Sequence, residues 1–334
     1  MPRALITGIT GMVGSHLAEY LLAHTDWDII GMLRWRSPLD NIAALVPLVN
    51  RGERVSLVYA DLRDDLAVRA AARKSAPDFV FHLAAQSYPQ DSFGSPLDTL
   101  DTNVQGTVRL LEALREFAPG AWIHVCSSSE VYGRVPAERL PIDEDCPFYP
   151  ASPYAISKVG ADLAARYYAQ AYGMKVVVTR MFTHTGPRRG DVFAESSFAK
   201  QIAMSEVGLI EAVRHGNLES LRTVADVRDA VRAYHMLLTV KPVAGEVYNI
   251  GGAHTAKVGE ILNDLCALSS AAIRREPDPE RFRPLDADLQ VPDCSKFMAH
   301  TGWRPEIAYE KTLADLLDYW RVRVTREGER FLRR

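Results

Sequence analysis

Tyr154 and Lys158 stand four residues apart in Ser152-Pro153-Tyr154-Ala155-Ile156-Ser157-Lys158, directly after the proline that would open a helix. That spacing puts both side chains on one helical face. An ammonium beside the phenol, with an oxidised nicotinamide nearby, would draw the phenol pKa from about 10 toward neutrality and make Tyr154 a usable general acid/base. Upstream, the run Trp122 to Ser127 reads as a strand that delivers Ser127-Ser128-Ser129-Glu130-Val131-Tyr132-Gly133 to a sheet edge, adding a hydroxyl and a carboxylate. On an extended segment a spacing of two points Ser128 and Glu130 to one side, so both would face a single ligand.

The elements that must position these groups alternate in kind. Ala4 to Thr7, Asp28 to Leu33, Val55 to Ala60, Phe79 to Leu83, Trp122 to Ser127 and Val176 to Arg180 read as strands, and apolar-periodic helices follow most of them. The pattern predicts an α/β fold, a Rossmann-type doubly wound parallel sheet covered on both faces. After about Met181 it degrades into loops rich in Arg, Gly and Pro, then returns as a helix near Val227 to Leu238 and a strand at Glu246 to Ile250. The tail from Pro277 ends in a helix around Tyr309 to Val324. We therefore expect residues 1–180, completed by about 226–252, to form a dinucleotide-binding domain. Residues 181–225 and 253–334 would form a smaller α/β C-terminal lobe, with a ligand cleft between the two.

The first strand runs into Thr7-Gly8-Ile9-Thr10-Gly11-Met12-Val13-Gly14, and a helical pattern follows. Glycines there allow a tight turn and close backbone approach, so a pyrophosphate can accept hydrogen bonds at the helix N-terminus. NAD sites place an acidic residue at the end of the second strand, to bond the ribose diol. This sequence has Arg34-Trp35-Arg36-Ser37 instead, two guanidinium groups and a hydroxyl that suit a 2′-phosphate, so NADP is expected and NAD less so. Asp61-Leu62, after the third strand, is placed to meet the adenine.

Composition removes whole classes of function. The chain has 334 residues, 47% apolar and 24% charged, with a formal net charge of -3, so no long-range field favours a nucleic acid or an anionic membrane. Cys126, Cys146, Cys266 and Cys294 lie far apart without metal-type spacing, which predicts reduced thiols, no metal and a cytoplasmic setting. No apolar run approaches the roughly 18 residues of a membrane span.

Several of these stretches together resemble one family. The glycine turn, Phe81-His82-Leu83-Ala84-Ala85-Gln86-Ser87, Asn103, the Ser-Ser-Glu-x-Tyr-Gly run and Tyr-x-x-x-Lys look like extended short-chain dehydrogenases acting on nucleotide sugars. Within that family the chain is most similar to the GDP-mannose 4,6-dehydratase branch, through Gly186-Pro187-Arg188-Arg189-Gly190-Asp191-Val192-Phe193 and Arg283-Pro284-Leu285-Asp286-Ala287-Asp288. The resemblance implies Ser128, Glu130, Tyr154 and Lys158 as catalytic residues. It implies a cofactor site that also takes in Leu83, Ala84, Ala85, Asn103 and Arg189. A GDP-hexose would meet Gln86, Ser87, Thr183, Arg188, Asn217, Arg222, Arg283 and Asp286, with Arg222 and Arg283 on its diphosphate. Arg188 and Arg189 resemble a pair that reaches a neighbouring subunit's cofactor. Helices from about Val104 to Phe117 and Pro153 to Tyr172 resemble a dimer interface, and a homodimer or homotetramer is implied.

Two departures keep rivals open. The branch has threonine where this chain has Ser128, and Asn-His-Glu where it has Thr183-His184-Thr185. The stretch from Asn217 to Asp229 also resembles GDP-4-keto-6-deoxymannose reductases. A 4-ketoreductase is thus the first rival, a 4-epimerase or decarboxylase the second, and a non-catalytic NADP-binding sensor a third of a different class.

Overall fold

The computed structural model describes residues 1–330. Its main sheet has seven strands, all parallel, in the spatial order Val247–Ile250, Lys175–Met181, Trp122–Cys126, Phe79–His82, Arg3–Thr7, Asp28–Leu33, Val55–Tyr59. The strand order reverses between Arg3–Thr7 and Phe79–His82, and a crevice opens there at the C-terminal ends. The expected Rossmann-type α/β class is borne out, with strand ends within a residue of the expected ones.

Side-chain alternation explains the two-faced burial. Ala4, Ile6, Ile29 and Val177 point into one core with Leu17 and Leu21 of helix Met12–His24 and Tyr234 and Leu237 of helix Val227–Thr239. Leu5, Ile30, Val176 and Val178 point the other way, onto Val68 of helix Asp65–Ser75, Leu110 and Leu114 of helix Gly106–Phe117, and Ala165 of helix Pro153–Tyr172. Both faces are apolar, as a buried parallel sheet requires.

The stretch after Met181 is more ordered than the sequence pattern suggests. Strand Leu221–Asp226 pairs with His184–Thr185, His254–Lys257 and Leu289–Gln290, and Ala212–His215 pairs with Arg274–Pro277. Helix Ala194–Glu206 lies where loops were expected. Every residue from Glu195 to Met204 is buried, so the helix has no solvent face and no amphipathic period by which to recognise it. Its Phe198 and Ile202 share a third core with Leu262 of helix Val258–Ala267 and Leu313 and Trp320 of helix Tyr309–Glu327. Among the described residues no helix is long and apolar enough to cross a membrane.

Candidate active site

The glycine turn is built as a cradle. Gly8 adopts φ +73°, and a Cβ there would lie 3.0 Å from the Ala84 backbone; one on Gly14 would lie 2.3 Å from the Gly8 carbonyl oxygen. Helix Met12–His24 starts at Gly11 without a side-chain cap, which leaves its first N–H groups to an anion in the crevice. Gly8, Gly11, Met12, Val13, Gly14, Leu83 and Ala85 all line that crevice, whereas Ala84 packs under Gly8. The sequence reading missed Asn41, which donates to the Thr10 carbonyl at 2.9 Å and also lines it.

A buried polar chain joins this turn to the helix carrying Tyr154. The Leu83 and Ala84 N–H groups donate to Thr7 Oγ1, each at 3.1 Å, and Thr7 Oγ1 meets His82 Nδ1 at 2.9 Å. His82 Nε2 lies 3.0 Å from Thr107 Oγ1, which donates to the Asn103 carbonyl at 2.6 Å. Asn103 Nδ2 donates to Ser157 Oγ at 2.8 Å, and that hydroxyl donates to the Tyr154 carbonyl at 2.6 Å. Burial pushes the His82 imidazolium down to about 3, so the ring is neutral and can serve as both donor and acceptor. Asn103 also bonds both N–H and C=O of Gln86, at 2.8 and 2.9 Å. Its amide therefore fixes the Gln86 loop from below. Gln86 itself donates to the Tyr88 carbonyl, while Ser87 lines the cleft.

The expected 2′-phosphate loop is accessible. Arg34 and Arg36 are exposed and Ser37 half-buried just past the second strand, where the Ser37 N–H closes a turn onto the Arg34 carbonyl. In the neighbouring pair the Arg63 guanidinium holds the Asp61 carboxylate and lowers its pKa, and Leu62 is a core side chain packed beside Gly106.

Ser152 caps the N-terminus of helix Pro153–Tyr172, its hydroxyl accepting from the Ala155 N–H at 3.0 Å, with Pro153 at the first position. The Tyr154 N–H, otherwise without a partner in the first turn, donates to Ser92 Oγ at 3.1 Å. Across from it the strand stops at Cys126, and Ser129–Val131 forms one 3₁₀ turn with Ser128 as its cap. Ser128 Oγ accepts from the Glu130 N–H at 3.2 Å and acts on the Tyr154 phenol to lower its pKa. Ser128 and Glu130 are thus brought to one side by a capped turn and not by strand alternation as expected. Beneath them Arg180, fully buried, pairs with Asp162 at 2.9 Å and donates to the Tyr132 hydroxyl at 3.0 Å, which anchors the turn from behind.

Electrostatics at the pair also differ from expectation. Burial raises the Tyr154 phenol above its ordinary value, outweighing the Ser128 hydrogen bond and the Arg189 charge, which lower it. Lys158 lies 5.9 Å from the phenol ring centre and donates to the Cys126 carbonyl at 2.8 Å; burial lowers its own pKa. A neutral phenol in this dry site is set to donate a proton, and its deprotonation needs further positive charge nearby.

The opposite wall comes from the second lobe, and the cleft between them holds about 1300 Å³. Thr183, Arg188, Arg189, Asn217, Arg222, Arg283 and Asp286 all line it. Arg188 pairs with Glu19 of the glycine-turn helix at 2.7 Å, and the Pro187 carbonyl meets His16 at 3.1 Å. Arg189 stacks over Phe193, 3.4 Å from the ring centre, and burial lowers its pKa. Arg188 Nη1 and Arg189 Nε are buried and without a partner, the mark of a site shaped for an anion. The Gly186 loop packs on the chain's own glycine-turn helix through the contacts of Arg188 and Pro187. Farther along, Asn217 donates to Ser220 and Asp288, and Arg222, Asp286 and Arg283 form a line of ion pairs that ends at Glu130. Among the described residues no group of three His, Cys, Asp or Glu side chains could hold a metal ion.

Residues 5–316 match the family described as GDP-mannose 4,6 dehydratase. The chain is 34% identical over 329 residues to a GDP-6-deoxy-D-mannose reductase of Pseudomonas aeruginosa, covering 97% of this chain and 99% of the relative. It is 32% identical over 350 residues to a GDP-mannose 4,6-dehydratase of Yersinia enterocolitica, covering 95% and 93%. Among solved structures it superposes on RMD from Pseudomonas aeruginosa complexed with NADPH, with a TM-score of 0.82, 31% identity and coverage of 97% and 100%.

Proposed function

Because the chain belongs to the GDP-mannose 4,6-dehydratase family of extended short-chain dehydrogenases, we propose that it removes water from a GDP-hexose to give the GDP-4-keto-6-deoxyhexose. The observation that carries this reading is Glu130. Its carboxylate lines one cleft with Ser128, Tyr154 and a line of arginines suited to a diphosphate, and pairs with Arg283.

The glycine cradle and the two unpartnered arginine nitrogens fit a dinucleotide. NADP is favoured over NAD by Arg34, Arg36 and Ser37, and the relative of known structure is an NADPH complex. When bound, the nicotinamide supplies reversible hydride transfer. Ser128 and Tyr154 hold O4 of the hexose by hydrogen bonds, and Tyr154, deprotonated once the positive charge of an oxidised nicotinamide joins that of Lys158, would take the O4 proton as C4 becomes a ketone. Lys158 keeps positive charge near the phenol during that transfer. The ketone acidifies C5, whose proton passes to Glu130. A proton from Glu130 goes to the C6 hydroxyl, which departs as water, and C5 takes a proton from solvent as C6 receives the hydride, the O4 proton leaving Tyr154 for solvent. The charge balance closes with one water lost and no net redox change.

The chain is read as a cytoplasmic homodimer, or a homotetramer built from such dimers. Helix Pro153–Tyr172 buries Tyr154, Lys158, Ala161 and Ala165 inward yet leaves Ile156 at 51%, Leu163 at 49% and Tyr167 at 55% exposed, an apolar stripe that a second copy would cover.

A second reading, reduction of a GDP-4-keto-6-deoxyhexose, is favoured by the Pseudomonas aeruginosa reductase and by the resemblance of the Asn217 to Asp229 stretch to such reductases. Incubation with GDP-, UDP- and dTDP-hexoses separates the two. Loss of 18 mass units from a GDP-hexose, without consumption of added NADPH, supports the dehydratase. Stoichiometric NADPH oxidation on a 4-keto substrate, with no mass loss from any hexose, supports the reductase.

A further inference from the structure

One guanidinium in the cleft is shared between acids of two different kinds. Arg283 Nη1 lies 3.6 Å from Glu130 Oε1 and 3.3 Å from Asp286 Oδ1, and Asp286 lies 3.6 Å from Arg222 Nη2. Glu130 comes from the 3₁₀ turn that follows a main-sheet strand. Arg283 comes from the segment between strands Arg274–Pro277 and Leu289–Gln290 on the other wall, so their ion pair spans the cleft. The four side chains are between 12% and 25% exposed, which makes a change of partner among them matter more than on open surface.

Two features mark Arg283 as the group that moves. Its contacts are long compared with the roughly 2.7–2.9 Å of a charge-assisted hydrogen bond. Arg188 and Lys200, on the same cleft, meet their carboxylates at 2.7 Å. Arg222 is held differently, by hydrogen bonds to the carbonyls of Leu221 and Asp288 at 3.0 and 3.2 Å. A diphosphate arriving beside Arg222 offers Arg283 more charge and a bidentate geometry than either carboxylate does now.

We propose that Arg283 is a substrate-operated gate on Glu130, pairing with the carboxylate and leaving it for the diphosphate when a nucleoside diphosphate binds. The inference rests on the nucleotide-sugar reading above. Glu130 is then free for proton transfer only when the diphosphate of a substrate fills the site. Arg283 acts through another residue and is a positioning residue. The gate has a measurable signature, because Glu130 and the diphosphate compete for one cation.

The test uses GDP as the probe and calorimetry on the full chain loaded with nicotinamide cofactor, in wild type, Glu130→Gln, Arg283→Gln and the double variant. Removing the competitor should tighten GDP binding by about fivefold or more in Glu130→Gln. Removing the gate should weaken it by about tenfold or more in Arg283→Gln. In the Arg283→Gln background, Glu130→Gln should change GDP affinity by less than about twofold, since there is no cation left to contest. Equal tightening in both backgrounds would mean simple charge repulsion and would overturn the gate, as would unchanged affinity in Glu130→Gln. Wild type that binds none of GDP, UDP and dTDP would overturn the nucleotide-sugar reading and the gate with it. Glu130→Ala and Arg283→Met form an equivalent cycle should either glutamine variant prove misfolded by circular dichroism.

Discussion

Replacing Glu130 with glutamine is the sharpest perturbation of the proposed chemistry. Ser128 caps the turn through the Glu130 backbone N–H, a bond the substitution leaves in place. The side chain's ion pair with Arg283 is long and partly exposed, so losing it costs stability about 1 kcal/mol at most. Ser128, Tyr154 and Lys158 remain, and the C4 oxidation that depends on them should survive. What is lost is a positioned acid/base, worth about 10²- to 10⁴-fold in rate, or roughly 2.7–5.4 kcal/mol of barrier. Mixed with saturating GDP-hexose, the variant should develop reduced-nicotinamide absorbance and stop there. Solvent deuterium should no longer enter C5, by proton NMR, and 4-keto-6-deoxy product should form at least a hundredfold more slowly than in wild type, as expected for loss of a general base. Product formed at the wild-type rate would refute the reasoning, make Glu130 a bystander and give precedence to the reductase or epimerase reading.

Arg34→Ala with Arg36→Ala should weaken NADP by about tenfold or more and leave NAD nearly unchanged, since a charged partner on a phosphate is worth about 1.5–3 kcal/mol; wild type with equal affinity for both, by fluorescence titration, would contradict the reading of that loop. His82 and His124 are both held at about 3 by burial, against an ordinary value of about 6.5, so the unfolded chain binds protons that the native state refuses. The stability they permit is full above pH 6.5 and lost as pH falls toward 3, by about 2 kcal/mol for each ring at pH 5. Urea midpoints that stay level from pH 7 to pH 5 would show that the rings are not held neutral. Leu163→Glu on the apolar stripe of helix Pro153–Tyr172 should lower the mass measured by light scattering toward that of one chain, and an unchanged mass would place the contact elsewhere.

The sheet was legible because its strands are short apolar runs punctuated by turns, and the glycine turn because close packing leaves no room for any other residue at Gly8 and Gly14. The family resemblance located Ser128, Glu130, Tyr154 and Lys158 in one cleft, but the reason given for Ser128 and Glu130 facing together was wrong. A serine capping its own second neighbour leaves no trace in a pattern of apolar residues. Helix Ala194–Glu206 was invisible for the opposite reason, since a helix buried all round has no periodic face. The contacts of Arg188 with Glu19 and Pro187 with His16 left no local trace, since a loop's direction depends on long-range partners. Asn41 carried no local signal at all.

The buried chain of hydroxyls, imidazole and amide that runs from Thr7 through His82, Thr107 and Asn103 to Ser157 acts as a ruler. It ties the cofactor turn and the Tyr154 helix to each other entirely within the main sheet and its helices, without using a residue from the opposite wall. The spacing between the glycine turn and the phenol is therefore inherited as one unit, while the opposite wall of the cleft is free to diverge. Substitutions such as those in Thr183-His184-Thr185 can retune which hexose is accepted without disturbing the geometry of hydride and proton exchange, so new substrates can arise in this framework by change on one side of the cleft alone.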